Sequence, residues 1–501
     1  SAGLGDGLAT LSRKYNANTR VWLSAPLRSG NNYFIKWQRN GVDYDTASTT
    51  TVLLDAAYTL SAVYETPSCS GISVAPGIDS VRGAVASAPR GSTFCIRAGV
   101  HRFTSAVVAR ANDRFIGEPG AVLSGSKLLA AFTRESGYWV ALGQTQQEPQ
   151  FPAFIGTYPV CAAATPGCIY PEKVFRNGQD LVQVTRLADL RAGAFFFDYA
   201  NDKIYLFDDP TGQTVEATTG SGGLIGYTNA GQGSVTVKNL VFEKFGGGDV
   251  PGSGHNAIKA AENWRIENSE FRYISNIGVT MSAIGVVRNS YIHHNGKYGL
   301  TGEGTIEGNV VSYNNTDGFD PNNDSGGSKF HGTRGLVIRG NIASNNNGRA
   351  FWTDFDNLNT TYENNVVEHN TEMGIFHEIS CAATIKNNLV RGNNAAMAGK
   401  SLWHGAQIYL RSSKDVQILG NEVVAAGVGV NGISLRGGAA PVPGPNCGSI
   451  DLRNVTVSNN VVRLDTADLH GTVGGAAGFA NAFNVKFLGN TYFLQQEVGI
   501  A

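Results

Sequence analysis

In the second half of the chain, apolar residues come in short alternating runs, and run after run closes on an asparagine. From Ser234 onward these are VTVKN, WRIEN, GVVRN, TIEGN, VIRGN, TYENN, TIKNN, QILGN, VTVSNN and VKFLGN. They end at Asn239, Asn268, Asn289, Asn309, Asn341, Asn365, Asn388, Asn421, Asn460 and Asn490, at spacings of 29, 21, 20, 32, 24, 23, 33, 39 and 30 residues. Alternation at period two predicts strands. A recurrence whose shortest steps set one coil, with loops inserted into the longer ones, is the pattern of a solenoid. The expected fold is therefore all-β, a right-handed parallel β-helix with Val and Ile stacked inward. Asparagines stacked at a corner can pass amide hydrogen bonds from coil to coil, so most of them read as structural.

The chain before the repeats divides by pattern. Residues 1–66 hold the alternating runs VWLSAP, YFIKWQRNG and TVLLDAAYTLSAVYE, punctuated by Gly30-Asn31-Asn32 and Asn40-Gly41. They predict a separate small β module with Tyr33, Ile35 and Trp37 on one face. Residues 67–501 make the β-helix. Within it, 67–130 form the N-terminal cap and first coils, where SVRGAVASAPRGSTFCIRAGVHRF reads as an amphipathic helix, a turn and a strand shielding an open coil end. Residues 131–230, irregular and aromatic (AFFFDYANDKIYLFDDP), read as a β-rich insertion walling a cleft; 231–501 are the regular coils.

Composition narrows the function. Glycine makes up 63 of 501 residues and only 16% are charged, which suits turns and extended strands better than helices. With 39 basic and 40 acidic side chains, nothing calls for nucleic acid, and no apolar run is long enough for membrane insertion. The six cysteines fall at pairable separations, Cys69 with Cys95, Cys161 with Cys168 and Cys381 with Cys447, which predicts disulfides and an oxidising compartment. A start at SAGLG without Met reads as processed. The expected location is secreted or at a bacterial cell surface.

Charge adds the chemistry. Counting back from the closing asparagines places Lys329 at twelve residues, Asp354 at eleven, Glu378 at ten and Arg411 at ten. Stacked coils turn these into a charged column. Neighbouring strands lie about 4.8 Å apart, so Asp354 and Glu378 should hold their carboxyl groups roughly 5 to 6 Å from each other. Carboxylates about 5 to 5.5 Å apart are what a retaining glycosidase uses, one as nucleophile and one as acid/base. Their mutual repulsion raises one pKa and keeps a proton donor near neutral pH.

The coils holding FWTDFDN and GIFHEIS resemble those of β-helical glycoside hydrolases, notably β-xylosidases with a WLDW…FFEVN pair and related fucosidase or xylanase-like enzymes. That resemblance implies Asp354 as nucleophile and Glu378 as acid/base, with flanks that depart from the xylosidase pattern. Lys329, Trp352, Asp356, Asn357, Phe376, His377 and Arg411 are the expected substrate-binding residues, and a poly- or oligosaccharide the expected partner. The N-terminal runs resemble the bacterial surface repeat related to internalin B-repeats, which implies a β-sandwich-like spacer or adhesion module.

Other motifs weigh less. Asp320, Asn322 and Asp324 match the first half of a calcium loop, but His331 stands where a bidentate Glu is needed. An Asx-rich turn is favoured, no cofactor is required, and calcium stays a candidate. NTDGFD at Asn315–Asp320 resembles the first signature of polygalacturonases, whose later signatures are missing. His293, His294, His331, His377 and His404 make no metal set. The rival functions are a polysaccharide lyase or epimerase on the same fold, with Lys329 or Arg411 as base, and a non-catalytic adhesin or surface rod.

Overall fold

The computed structural model describes residues 10–147, 150–155, 158–219, 222–226, 233–246, 256–394, 405–426, 430–438, 443–465, 476–477 and 483–494. The coils stack into three parallel sheets, which hold 11, 13 and 13 strands among the described residues. One coil shows the plan: Phe351–Asp354 lies in the first sheet, Leu358–Glu363 in the second and Val366–Glu368 in the third. Each strand pairs in parallel with its equivalent one coil on. The inward positions of the second sheet form a column of Ile306, Ile338, Tyr362, Ile385, Ile418 and Val457, all essentially sealed from water.

The corners are turned by residues in the left-handed region, Phe355, Asn364 and His369 in this coil. Inside each corner runs a polar ladder. Between the second and third sheets, the Asn365 side-chain amide donates to Asn388 Oδ1 at 2.9 Å and to the Ile338 carbonyl at 2.9 Å. The same linkage recurs at Asn309, Asn341, Asn388, Asn421 and Asn460. Asn239, Asn268 and Asn289 do not belong to this ladder. They occupy the left-handed position one residue earlier, and Ser269 and Ser290 take the inner place. Two further ladders were hidden in the sequence. One runs Asn295, Asn314, Asn346, Asn370, Asn393 and Gln407 between the third and first sheets. The other runs Thr333, Asn357, Ser380 and Ser413 between the first and second.

The expected cap is a helix at Ser80–Ser87 that turns Val81 and Val85 into the core. The three expected disulfides are present, with Cα atoms 5.6 to 5.7 Å apart. The excursion between Ser124 and Leu224 builds, among the described residues, small sheets of four, five and two strands, with hydrophobic clusters of its own, before the chain joins the first sheet at Leu224–Ile225. It also reaches forward: Phe151 meets Phe319 edge-on, Thr165 donates to the Gly318 carbonyl at 2.6 Å, and Lys173 pairs with Asp317.

Residues 19–65 form antiparallel pairs, Thr19–Ser24 with Thr49–Leu54 and Asn32–Arg39 with Leu60–Glu65. A register shift between Phe34 and Lys36 breaks strict alternation, so Phe34 joins Trp37 in the small core. This unit does not stand off as a spacer. Its 45–51 segment lies on the corner between the second and third sheets, where Ser48 N donates to Asn289 Oδ1 at 3.0 Å and Arg339 pairs with Asp45 at 3.1 Å. Contact requires glycine there: a Cβ on Gly308 would fall 2.6 Å from Ser48 N, and one on Gly340 2.7 Å from the Ala47 side chain.

Candidate active site

Strands of the first sheet place Asp354 and Glu378 directly opposite each other on adjacent coils, followed in the same column by Arg411 and Arg436. Lys329 is not in that column. It pairs with Trp352, two residues away, because the 326–330 strand enters in a different phase. Its ammonium nevertheless reaches Asp354 at 3.0 Å and Asp324 at 2.8 Å, while Arg411 meets Glu378 at 2.7 Å.

Glu378 is 5% exposed. Burial, reinforced by the neighbouring Asp354 charge, pushes its carboxyl above the ordinary range, against the pull of Arg411, Arg349 and the indole N–H of Trp352, which donates to Glu378 at 3.2 Å. Burial works against the Lys329 ammonium, yet Asp324 and Asp354 overcome it and hold the group above its ordinary value. Asp324, gripped by Lys297 and Lys329 and accepting from the Tyr298 hydroxyl, is held well below the carboxylate range despite its burial.

Trp352 and Phe376 are outward but not open. The rings of Trp352, Phe376 and Tyr409 stack on one another along the coil axis at 5.8 and 4.8 Å, and Lys329 and Arg349 lie 3.9 and 4.0 Å from the indole. Their faces are thus already occupied, and they wall the cleft rather than form a free stacking platform. That cleft, of about 320 Å³, is lined by Asn322, Arg349, Trp352, Glu372, Met373, Phe376, Glu378 and Arg411.

Three expected groove residues are structural instead. His377 points inward and is fully buried, 2.7 Å from Thr353 Oγ1 and edge-on to Tyr362, because it alternates with Phe376 and Glu378. Burial lowers its pKa to about 3. Asp356 does not continue the face of Trp352 and Asp354. The strand ends at Asp354, two left-handed residues turn the chain, and the Asp356 carboxylate accepts from the backbone of Asn446 and Cys447. Asn357 is a rung of the corner ladder, accepting from Thr333 and donating to Ser380.

The calcium candidates separate likewise. Asp320 Oδ1 accepts from the Asn322 backbone at 2.9 Å in an Asx turn, and Asp324 is committed to two lysines. Among the described residues no three His, Cys, Asp or Glu side chains gather as a metal set. His404 lies outside the described residues.

Sequence reasoning missed Arg349 and Glu372, an ion pair at 3.2 Å deep in the cleft, with Arg349 also donating to the Asn322 carbonyl at 3.3 Å. Each stands five or six residues before an acid of the pair, at equivalent places in successive coils. Stacking those two coils on paper would have brought them together.

A family model described as a right-handed β-helix region matches residues 222–423. A solved structure, the complex of XylC with xylose, superposes with a TM-score of 0.60 at 13% identity, covering 78% of this chain and 75% of that one. The fold is a right-handed parallel β-helix. Two further solved structures match more loosely. The A-module of the Azotobacter vinelandii mannuronan C-5 epimerase AlgE6 gives a TM-score of 0.40 at 14% identity, covering 84% and 93% of the two chains. The catalytic unit of a thermostable α-1,3-glucanase from Streptomyces thermodiastaticus gives 0.36 at 11%, covering 97% and 94%. No curated protein matches the sequence. Among the described residues no helix is long and apolar enough to cross a membrane.

Proposed function

We propose that the chain is a secreted carbohydrate-active enzyme, a glycoside hydrolase that works with retention of configuration, with Asp354 as nucleophile and Glu378 as acid/base. The observation that carries this is the register: the two acids face outward opposite each other on neighbouring strands, a spacing of about 4.8 Å between backbones that suits the roughly 5 to 5.5 Å a double displacement needs. Their surroundings divide the labour. The Lys329 ammonium lies 3.0 Å from Asp354, the acid assigned to attack the anomeric carbon, while burial beside a like charge supports a protonated Glu378, the form that donates to a departing oxygen. Three disulfides fit an oxidising compartment, and the likeness to a xylose complex makes xylosides the first substrates to try.

Lyase or epimerase chemistry would need Lys329 or Arg411 to remove a proton. A lysine held above its ordinary pKa by two aspartates is a poor base, and a guanidinium does not give up its proton. The test is a panel of aryl glycosides and polysaccharides, with the first-formed anomer followed by NMR. Retention is expected, with release abolished by Asp354→Asn and strongly reduced by Glu378→Gln. Unsaturated sugars absorbing in the ultraviolet, or full activity in both variants, would overturn the assignment.

A further inference from the structure

The acids stand between two unlike surfaces. On the N-terminal side of their strands lies the cleft walled by Trp352, Phe376 and Arg349. On the C-terminal side the chain turns at Phe355 and Ile379, both in the left-handed region, which throws these side chains outward immediately beyond Asp354 and Glu378. There Phe355 stacks on His331 of the preceding coil, with centroids 5.2 Å apart and planes 23° from parallel. His331 is exposed and Phe355 partly so, in contrast to the sealed Trp352, Phe376 and Tyr409. The rim is also braced from behind. Asp356 anchors the backbone of Asn446 and Cys447, Cys447 is bonded to Cys381, and Ile379 packs against that disulfide.

A glycosidic bond cut over the two acids must have one sugar on each side of them. We propose that the cleft takes the sugar that is attacked and that the His331–Phe355 pair is the stacking platform for the leaving-group sugar, contacting the apolar face of a pyranose ring. The inference rests on the hydrolase assignment and deepens it, since it makes Phe355 and His331 determinants of which leaving group is accepted. An exposed ring pair held on a cross-linked corner offers a preorganised apolar surface, which lowers the ordering cost of binding.

The experiment uses the full chain carrying Asp354→Asn, with xylobiose, cellobiose, mannobiose and laminaribiose and their monosaccharides titrated by calorimetry. At least one disaccharide should bind more tightly than its monosaccharide. Adding Phe355→Ala or His331→Ala should weaken that disaccharide roughly tenfold, the loss of a contact of about 1.4 kcal/mol. Monosaccharide binding should not change, and Phe355→Tyr should restore the disaccharide. Equal losses for both ligands, no loss, or no disaccharide bound more tightly than its monosaccharide would overturn the platform. The assignment of Asp354 as nucleophile fails separately, if Asp354→Asn alone still hydrolyses at the wild-type rate; the same titrations with thio-linked disaccharides, which are not cleaved, still report on the rim in that case.

Discussion

Lys329 sits opposite Trp352 in the sheet, yet its ammonium closes a bridge between Asp324 at 2.8 Å and Asp354 at 3.0 Å. A single cation therefore bridges two carboxylates from different parts of the chain, one on the loop before its own strand and one on the next coil. Replacing it with a neutral side chain of similar length leaves Asp354 without its partner and Asp324 with only Lys297.

Lys329→Met should accordingly lower kcat by a hundredfold or more and cost about 2 kcal/mol of stability, less than a fully buried pair because both partners keep some contact with water. The pH dependence has a definite sign. Asp324 has a depressed pKa, so its contribution is present above the ordinary carboxylate value of 3.8 and fades as pH falls below it. Lys329 has a raised pKa, so its contribution is present below 10.5 and fades above it. Denaturant melts of both proteins should show a gap that is full from about pH 4 to pH 10 and narrows outside that window.

Arg411 bears on the other acid. Its guanidinium favours ionised Glu378, whereas catalysis by a general acid needs the proton in place. Arg411→Gln should move the basic limb of the kcat/KM profile to higher pH. The displacement should be less than about one pH unit, because the Arg411 side chain is 43% exposed and water screens it. A limb that moves down, or does not move, would show that Glu378 is not the group being titrated.

Much of this was legible in the residues. The β-helix and the opposition of Asp354 and Glu378 follow from period-two runs, a recurring asparagine and a count back from it, the capping helix from an amphipathic segment, and the three disulfides from the cysteine separations. Asp356, Asn357 and His377 went astray for two physical reasons. Alternation was carried past Asp354, where two successive left-handed residues end the strand, and polarity was taken for exposure in a fold whose corners are lined with buried amides and hydroxyls. The position of Lys329 failed differently. The 32-residue step from Asn309 to Asn341 carries a loop before the strand, and a count from the closing asparagine alone does not fix the strand's phase.

The buried histidine makes the fold acid-sensitive. His377 is neutral in the native interior, with a pKa near 3, and takes up a proton near 6.5 once unfolded. A base whose folded pKa is depressed costs stability as pH falls from 6.5 toward 3, by about 3 kcal/mol at pH 4. His377→Gln removes the titration. The variant should be less stable than wild type at pH 7, through lost contacts with Thr353 and Tyr362, and the difference should shrink or reverse by pH 4 when Tm is followed across the range.

The corner ladder gives the last prediction. Asn365 is sealed from water and satisfies four groups at once: its own amide donates to Ile338 and Asn388, and its carbonyl oxygen accepts the backbone and side chain of Asn341. Asn365→Leu keeps the branched heavy-atom skeleton but strands the Asn341 backbone amide and the Ile338 carbonyl in a dry interior, at about 1 to 3 kcal/mol for each unpaired group. Asn364→Gly, one residue earlier at a left-handed position, removes only a module contact from Thr51 and relieves backbone strain, so it should be near neutral. Chemical denaturation of the two variants side by side separates a load carried by buried amides from one carried by the turn. Because successive coils share these amides, the damage at Asn365 should also raise hydrogen exchange at Asn341 and Asn388 on either side, whereas Asn364→Gly should leave both protected.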